Sequence, residues 1–171
     1  MKSNLVLIGM PGSGKTTVGK LLAKRLRLNF IDTDEFIEKK HNKKIKELFI
    51  YGEEYFREIE KNALEEISKE KRTVISTGGG VIKDITNINN LKNNGIIIFI
   101  DRPTELIIRD INKEDRPLVK AGRDIEILYN ERYDLYNKYA DIKVTNGSAI
   151  DRLLDKIILA YEERKNENIS D

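Results

Sequence analysis

The chain has 171 residues and 35% of them are charged, yet its formal net charge is only +2 because 31 basic residues nearly balance 29 acidic ones. This length suits one domain with a sizeable core, and the balanced charge gives no general electrostatic case for a nucleic-acid or membrane partner. The sequence contains no cysteine, which excludes disulfides and thiolate metal sites and is compatible with a reducing cytoplasm.

The first predicted element is a short apolar strand that leads directly into a glycine-rich loop. The strand covers residues 5–8, and the loop from Gly9 to Thr16 reads Gly-Met-Pro-Gly-Ser-Gly-Lys-Thr. It matches G-x-x-x-x-G-K-[ST] at every fixed position, and a helical pattern from Lys15 to Leu26 follows it, as the motif requires. The apolar stretch before the loop is too short for a signal peptide or a membrane span.

This loop predicts binding of a nucleoside triphosphate. Glycines allow backbone N–H groups to wrap a phosphate, and the positive end of the following helix points at the anion. We expect a solvent-facing Lys15 to reach the outer phosphates and the Thr16 hydroxyl to ligate Mg²⁺. The predicted nucleotide-binding residues of this segment are Gly12, Ser13, Gly14, Lys15, Thr16 and Thr17.

The rest of the chain alternates predicted strands with predicted helices, which indicates a parallel sheet between helical layers. The strand runs are almost continuously apolar, as buried parallel strands are. Further strands are predicted at 29–31, 73–76, 96–100 and 142–144, and helices at 54–69, 84–93, 104–111 and 149–164. Two stretches break the alternation: a helical insert at about 33–60, and a polar stretch from Asn112 to Arg123 that we predict to be a lid.

Two clusters of candidate residues follow predicted strands, at the edge where parallel sheets bind ligands. Asp32 and Asp34 follow the second strand; one could hold water on a metal ion and the other could orient an attacking hydroxyl, although a helix cap is the alternative. Gly78 to Gly80 follow the third strand and leave room for a ligand, although a flexible turn is the alternative. Because no acidic residue stands there, Mg²⁺ would depend on Thr16, Asp32 and the nucleotide.

Four arginines are candidates for contacts with an anionic substrate. Their planar guanidinium groups bind carboxylates and phosphates through two hydrogen bonds. In a chain this charged, the alternative for each is a solvated surface group. They are Arg57, Arg109, Arg116 and Arg132.

Taken together, these residues resemble the shikimate kinase family. Its members combine the phosphate loop with Asp-x-Asp, Phe-Arg-x-x-Glu, a triple glycine, an Arg-Pro-Leu lid and Arg-x-x-Leu-Tyr. Nearly the whole chain takes part in the resemblance, because the motifs occur in that order at Gly9–Thr16, Asp32 and Asp34, Phe56–Glu60, Gly78–Gly80, Arg116–Leu118, and Arg132 with Leu135 and Tyr136.

The resemblance implies an α/β fold of the three-layer type seen in P-loop nucleoside-monophosphate kinases. The expected core is a five-stranded parallel sheet in the order 2-3-1-4-5 with helices on both faces. The implied activity is phosphorylation of the 3-hydroxyl of shikimate, with ATP and Mg²⁺ as cofactors, in the aromatic amino-acid pathway. A single-domain cytoplasmic monomer is expected, with shikimate as small-molecule partner and neither nucleic acid nor membrane.

The resemblance also implies a role for each candidate at the acceptor end. Asp34 would bind a shikimate hydroxyl and serve as its base. Arg57 and Arg132 would hold the shikimate carboxylate, and Gly78 to Gly80 would line the pocket. Lys15, Asp34 and Arg116 are therefore the predicted catalytic residues.

At the nucleotide end, the implied contacts surround ATP. Arg116 would close over the phosphates from the lid. Arg109 and the loop 145–148, including Asn146, would flank the adenine. Thr16 would bind the metal directly, and Asp32 would bind it through water.

Two other functions stay open from the residues alone. A gluconate- or nucleotide-type small-molecule kinase would share the loop and lid, but it gives no reason for Asp34, Arg57 and Arg132 together. A non-catalytic nucleotide switch would hydrolyse ATP slowly and ignore shikimate.

Overall fold

A five-stranded sheet forms the centre of the computed structural model, which describes residues 2–111, 122–147 and 149–167. Every neighbouring pair of strands is parallel, and the strand order is β2-β3-β1-β4-β5. The predicted fold class and strand order are therefore confirmed. The strands are β1 (Asn4–Ile8), β2 (Asn29–Asp32), β3 (Thr73–Ser76), β4 (Gly95–Asp101) and β5 (Ile142–Thr145).

Helices connect the strands, and the five predicted near 15–26, 54–69, 84–93, 104–111 and 149–164 lie close to those bounds, whereas no bounds were predicted for the helix at 122–139 or for the separate helices of the insert. They are α1 (Lys15–Leu26), α2 (Thr33–His41), α3 (Ile45–Phe49), α4 (Glu53–Ile67), α5 (Ile85–Asn94), α6 (Thr104–Ile111), α7 (Gly122–Tyr139) and α8 (Ile150–Glu167). The predicted lid, including Arg116, lies outside the described residues except for its last two positions, which begin α7. Across the described ranges, none of the helices combines the length and apolarity that crossing a bilayer demands.

The sheet is covered by helices on both faces, and β1 shows why its sequence is continuously apolar. Leu5 and Leu7 point to one face, where they pack with residues of α1 and α8. Val6 and Ile8 point to the other face, towards α4, α5 and α7. All four side chains are fully buried, as expected for a central parallel strand between two helical layers.

The insert forms a small core of its own beside the sheet. Ile37 of α2, Leu48 of α3 and Phe56 of α4 are buried together, and Phe49 stacks on Phe56 with ring centroids 4.3 Å apart. As predicted, residues 33–60 contain helices and no strand. The insert therefore packs around its own core and forms one wall of the cleft at the carboxyl ends of the strands.

Candidate active site

A cleft of about 660 Å³ opens at the carboxyl edge of the sheet, between the phosphate loop and the insert. Since all five strands are parallel, the segments that follow them meet at this edge. The structure thus brings both groups of predicted residues into one cavity. The predicted site residues that line it are Gly12, Gly14, Lys15, Thr16, Thr17, Asp32, Asp34, Arg57, Gly78, Gly79, Gly80 and Arg132.

Lys15 is buried within the loop, so the expectation of a solvent-facing side chain was wrong. Only 7% of the residue is exposed, and its ammonium group donates hydrogen bonds of 2.8 Å to the carbonyls of both Gly9 and Met10. The reason is that the loop turns these carbonyls inward, where they replace water around the charge. The loop's own carbonyls therefore fix the position of the ammonium group.

Asp32 has the geometry for both roles considered for it. Its Oδ1 accepts hydrogen bonds from the backbone N–H groups of Asp34 at 3.1 Å and Glu35 at 3.3 Å, which caps α2. Its Oδ2 accepts a hydrogen bond of 2.7 Å from the Thr16 hydroxyl. Cap formation thus fixes the second carboxylate oxygen beside the loop.

The donor set around Thr16 suits a magnesium ion that also binds nucleotide. The hydroxyl and the Asp32 carboxylate supply hard oxygen atoms 2.7 Å apart. Within the described residues, no group of three or more His, Cys, Asp or Glu side chains could hold a metal by itself. Such an arrangement fits Mg²⁺, which usually takes one or two protein ligands and completes its shell with phosphate oxygens and water.

Asp34, at the start of α2, binds a proton more tightly than an ordinary aspartate. Burial, and then the nearby charges of Asp32 and Glu60, raise the pKa of its carboxyl group from 3.8 to about 6, although Lys15 opposes the shift. A carboxylate with this pKa is ionised at neutral pH and still accepts a proton readily. Asp34 can therefore act on a hydroxyl in the cleft.

One arginine of the cleft bonds to a buried carboxylate at the insert end, and a second adds its charge there. Arg57 donates a hydrogen bond of 2.7 Å to Glu60, whose side chain is only 2% exposed, and lies 3.2 Å from Glu53. Burial raises the pKa of the Glu60 carboxyl group, while the charges of Arg57 and Arg132 both lower it. Both arginines also line the cleft, so their positive charges face the same cavity.

The triple glycine leaves room for the charged side chains of the site. A Cβ atom on Gly80 would lie 2.6 Å from Cζ of Arg57, and one on Gly78 would lie 3.2 Å from carboxylate oxygens of both Asp34 and Glu60. Larger residues would push these groups out of position. The space predicted at Gly78 and Gly80 therefore accommodates the side chains of Asp34, Glu60 and Arg57.

Arg102 is a cleft residue that the sequence analysis missed. It directly follows β4, donates a hydrogen bond of 2.9 Å to the Gly12 carbonyl, and forms an ion pair with Asp110 of α6. Its place after a strand was the signal, since the same signal identified Asp32 and Gly78.

Two predicted nucleotide contacts, which follow β4 and β5, do not line the cleft but bond to residues of the cleft or the phosphate loop. Arg109 is exposed, and its guanidinium group donates to Asp110 at 3.3 Å. Asn146 donates a hydrogen bond of 2.9 Å to the Ser13 carbonyl of the loop. Ser148, in the same predicted loop, lies outside the described residues.

The raised pKa of Asp34 predicts a pH-dependent stability gain for Asp34→Asn. The folded pKa of about 6 exceeds the ordinary value of 3.8, so ionisation of Asp34 destabilises the folded state. At low pH the variant and the unaltered protein should have the same free energy of unfolding. As pH rises from about 4 to 6 the variant should become the more stable of the two, and above pH 6 the difference should stay on the order of 3 kcal/mol. Urea unfolding across this pH range measures the difference.

Glu35→Gln is the matched control, because Glu35 is the next residue of α2 and its side chain is 53% exposed. It should show no comparable gain. A stability difference for Asp34→Asn that does not change with pH would contradict the raised pKa.

Comparisons with known proteins point to one family. The shikimate kinase family model matches residues 11–162. A shikimate kinase from Clostridium botulinum is 53% identical over 158 residues, covering 92% of this chain and 96% of that protein. The structure of Acinetobacter baumannii shikimate kinase in complex with shikimate is similar, with a TM-score of 0.89, 34% identity and 96% coverage of both chains. Shikimate kinase from Aquifex aeolicus gives a TM-score of 0.82, with 36% identity and coverage of 95% of this chain and 98% of that one.

Proposed function

The chain belongs to the shikimate kinase family and transfers the terminal phosphoryl group of ATP to the 3-hydroxyl of shikimate, and we propose that the cleft described above is where it does so. One observation carries the proposal. The phosphate loop and the Asp34, Arg57 and Arg132 side chains line the same cavity, so donor and acceptor can meet there.

At the nucleotide end, loop N–H groups and Lys15 bind the phosphates. Thr16 would hold Mg²⁺ directly and Asp32 would hold it through water, and the hydrogen bond between the two side chains supports this pairing. The ion, when bound, offsets charge on the phosphates. Arg109 flanks the adenine from α6, and Arg116 closes over the phosphates; the role of Arg116 rests on family membership alone, because it lies outside the described residues.

At the acceptor end, Asp34 orients the 3-hydroxyl and takes its proton. The hydroxyl oxygen forms a bond to the γ-phosphorus, the bond from that phosphorus to the β,γ-bridging oxygen breaks, and ADP leaves. Gly78 to Gly80 line the acceptor pocket, and the stacked Phe49 and Phe56 provide an apolar wall for the ring. The enzyme supplies position and charge, and no covalent intermediate with the protein is needed.

The protein acts as a monomer in the cytoplasm, with no nucleic-acid or membrane partner. The near balance of 31 basic and 29 acidic residues supports the lack of nucleic-acid and membrane partners, and the absence of cysteine is compatible with a reducing cytoplasm. The monomer rests on family membership. Sedimentation analysis at working concentrations tests the monomer, and a stable dimer would contradict it.

Recognition of the acceptor depends on its carboxylate, which Arg57 and Arg132 bind together. Charge-assisted hydrogen bonds contribute roughly 1.5–3 kcal/mol each, so Arg57→Ala or Arg132→Ala should weaken shikimate binding about tenfold to a hundredfold. Shikimate methyl ester should be a poor substrate of the unaltered enzyme. Its disadvantage should shrink in both variants, because the lost arginine no longer distinguishes acid from ester.

The measurement is kcat/KM for acid and ester with the unaltered enzyme, each variant, and Arg152→Ala as a control on the exposed surface of α8. The control should keep the full preference for the acid. Equal reaction of acid and ester with the unaltered enzyme would rule out the carboxylate clamp and direct attention to a gluconate- or nucleotide-type acceptor.

A further inference from the structure

Two side chains from neighbouring strand ends hold consecutive carbonyl groups of the phosphate loop. Arg102, which follows β4, donates from Nη1 to the Gly12 carbonyl at 2.9 Å. Asn146, which follows β5, donates from Nδ2 to the Ser13 carbonyl at 2.9 Å. These contacts join positions 90 and 133 residues apart in the chain.

Both donors are themselves held in place. The second nitrogen of the Arg102 guanidinium group forms an ion pair with Asp110 of α6, and the Arg102 side chain is 17% exposed. The backbone N–H of Asn146 donates to the Asp101 carbonyl at 2.6 Å, which fixes the start of the loop after β5. Neither donor is therefore a freely moving surface group.

The geometry of the peptide bond links these carbonyls to the phosphate site. In a trans peptide the C=O of one residue and the N–H of the next point in opposite directions, and the described residues contain no cis peptide. Holding the Ser13 carbonyl therefore sets the direction of the Gly14 N–H, at a residue with φ of 94°. Holding the Gly12 carbonyl sets the direction of the Ser13 N–H, which donates a hydrogen bond of 3.1 Å to the Met10 carbonyl and closes the loop.

We propose that Arg102 and Asn146 are positioning residues that keep the phosphate loop in its anion-binding shape by holding the Gly12 and Ser13 carbonyls. We call this pair the loop brace. A loop with its N–H groups already oriented binds a phosphate chain without first ordering its backbone. Asn146 thus acts on the phosphates through the loop, which differs from flanking the adenine.

Inorganic tripolyphosphate separates these two actions, because it has the phosphate chain but no adenine. We expect Arg102→Ala and Asn146→Ala each to raise the KM for ATP about fivefold to tenfold, the effect of losing one hydrogen bond. The inhibition constant of tripolyphosphate, competing with ATP, should rise by the same factor. The KM for shikimate should change less than about twofold, since the brace does not touch the acceptor end.

Matched variants separate the brace from a general effect on stability. Arg25→Ala removes two surface ion pairs of 2.6 Å, to Asp151 and Asp155, and should leave both constants unchanged. Arg102→Lys keeps one donor and should recover part of the lost affinity. Asp110→Asn removes the charge that pairs with Arg102 but keeps the Arg102 side chain. If Arg102→Ala does not fold, the KM for ATP and the inhibition constant of tripolyphosphate are measured with Asp110→Asn instead.

Several results would overturn the brace. One is an Asn146→Ala variant that binds ATP more weakly but tripolyphosphate as tightly as before. The others are equal rises of the KM values for ATP and shikimate, and no inhibition of the unaltered enzyme by tripolyphosphate up to its solubility limit. The inference rests on ATP binding at the loop, and its failure is distinguishable from failure of the proposed function. If the unaltered enzyme does not phosphorylate shikimate, the function itself is wrong; if it does and the variants keep their ATP affinity, only the brace is wrong.

Discussion

Lys15→Met will lower kcat by at least about a hundredfold while leaving a folded protein. The buried ammonium group lies among the loop carbonyls of Gly9 and Met10, beside the place where the phosphates bind. Removing a main charge contact of the transition state costs on the order of 3 kcal/mol or more. Methionine has a similar length and keeps the apolar part of the side chain, and Lys15 is one residue of a large core, so the fold should persist while the charge is lost.

Lys20→Met is the matched control, because Lys20 lies on the same helix with 56% of its side chain exposed, where it forms a 3.6 Å ion pair to Glu35 and lies 5.7 Å from the centre of the Phe30 ring. It should keep near-normal turnover. Steady-state kinetics with saturating ATP and shikimate give kcat for both variants, and circular dichroism checks their folding. Near-normal turnover of Lys15→Met would refute the role of this loop in phosphoryl transfer.

Asp34→Asn will lower kcat by about a hundredfold or more while nucleotide affinity stays nearly constant. General-base catalysis by a positioned carboxylate contributes typically about 10² to 10⁴ in rate. The asparagine side chain keeps the shape of Asp34 but cannot take the proton. Titration with a fluorescent ATP analogue measures nucleotide binding separately from turnover.

The pH dependence of kcat/KM, compared between the unaltered enzyme and Asp34→Asn, tests whether Asp34 is a base or only orients the hydroxyl. Because the pKa of Asp34 is about 6, kcat/KM of the unaltered enzyme should rise with pH through that value as the carboxylate forms. The residual activity of Asp34→Asn should lack this limb. If nucleotide affinity collapses while turnover of the bound complex survives, Asp34 belongs to the nucleotide or the metal instead.

The sheet was predictable because the strands are short apolar runs, and the first three of them lead directly into candidate site residues. Residues 5–8 are buried on both faces of the sheet, so the hydrophobic pattern alone identified β1. The Asp32 position was also informative, since the same residue type suits a helix cap and a metal site. In the structure one carboxylate oxygen caps the helix and the other accepts a hydrogen bond from the Thr16 hydroxyl.

Side-chain direction was not predictable in the same way. A motif says that Lys15 belongs to the loop, but only the folded backbone shows that its ammonium group bonds to carbonyls of the loop itself. Arg102 was missed because the candidate arginines were chosen from helices and the lid, whereas its contact with Gly12 joins residues 90 positions apart. Such contacts depend on which strands are neighbours, here β1 and β4.

The most direct test of the whole account is a coupled assay of ADP release with and without shikimate. The account predicts slow ADP release from ATP and Mg²⁺ alone, a large stimulation when shikimate is added, and formation of one shikimate 3-phosphate per ADP. The same slow ADP release in the presence and absence of shikimate would contradict it and would instead indicate a nucleotide switch.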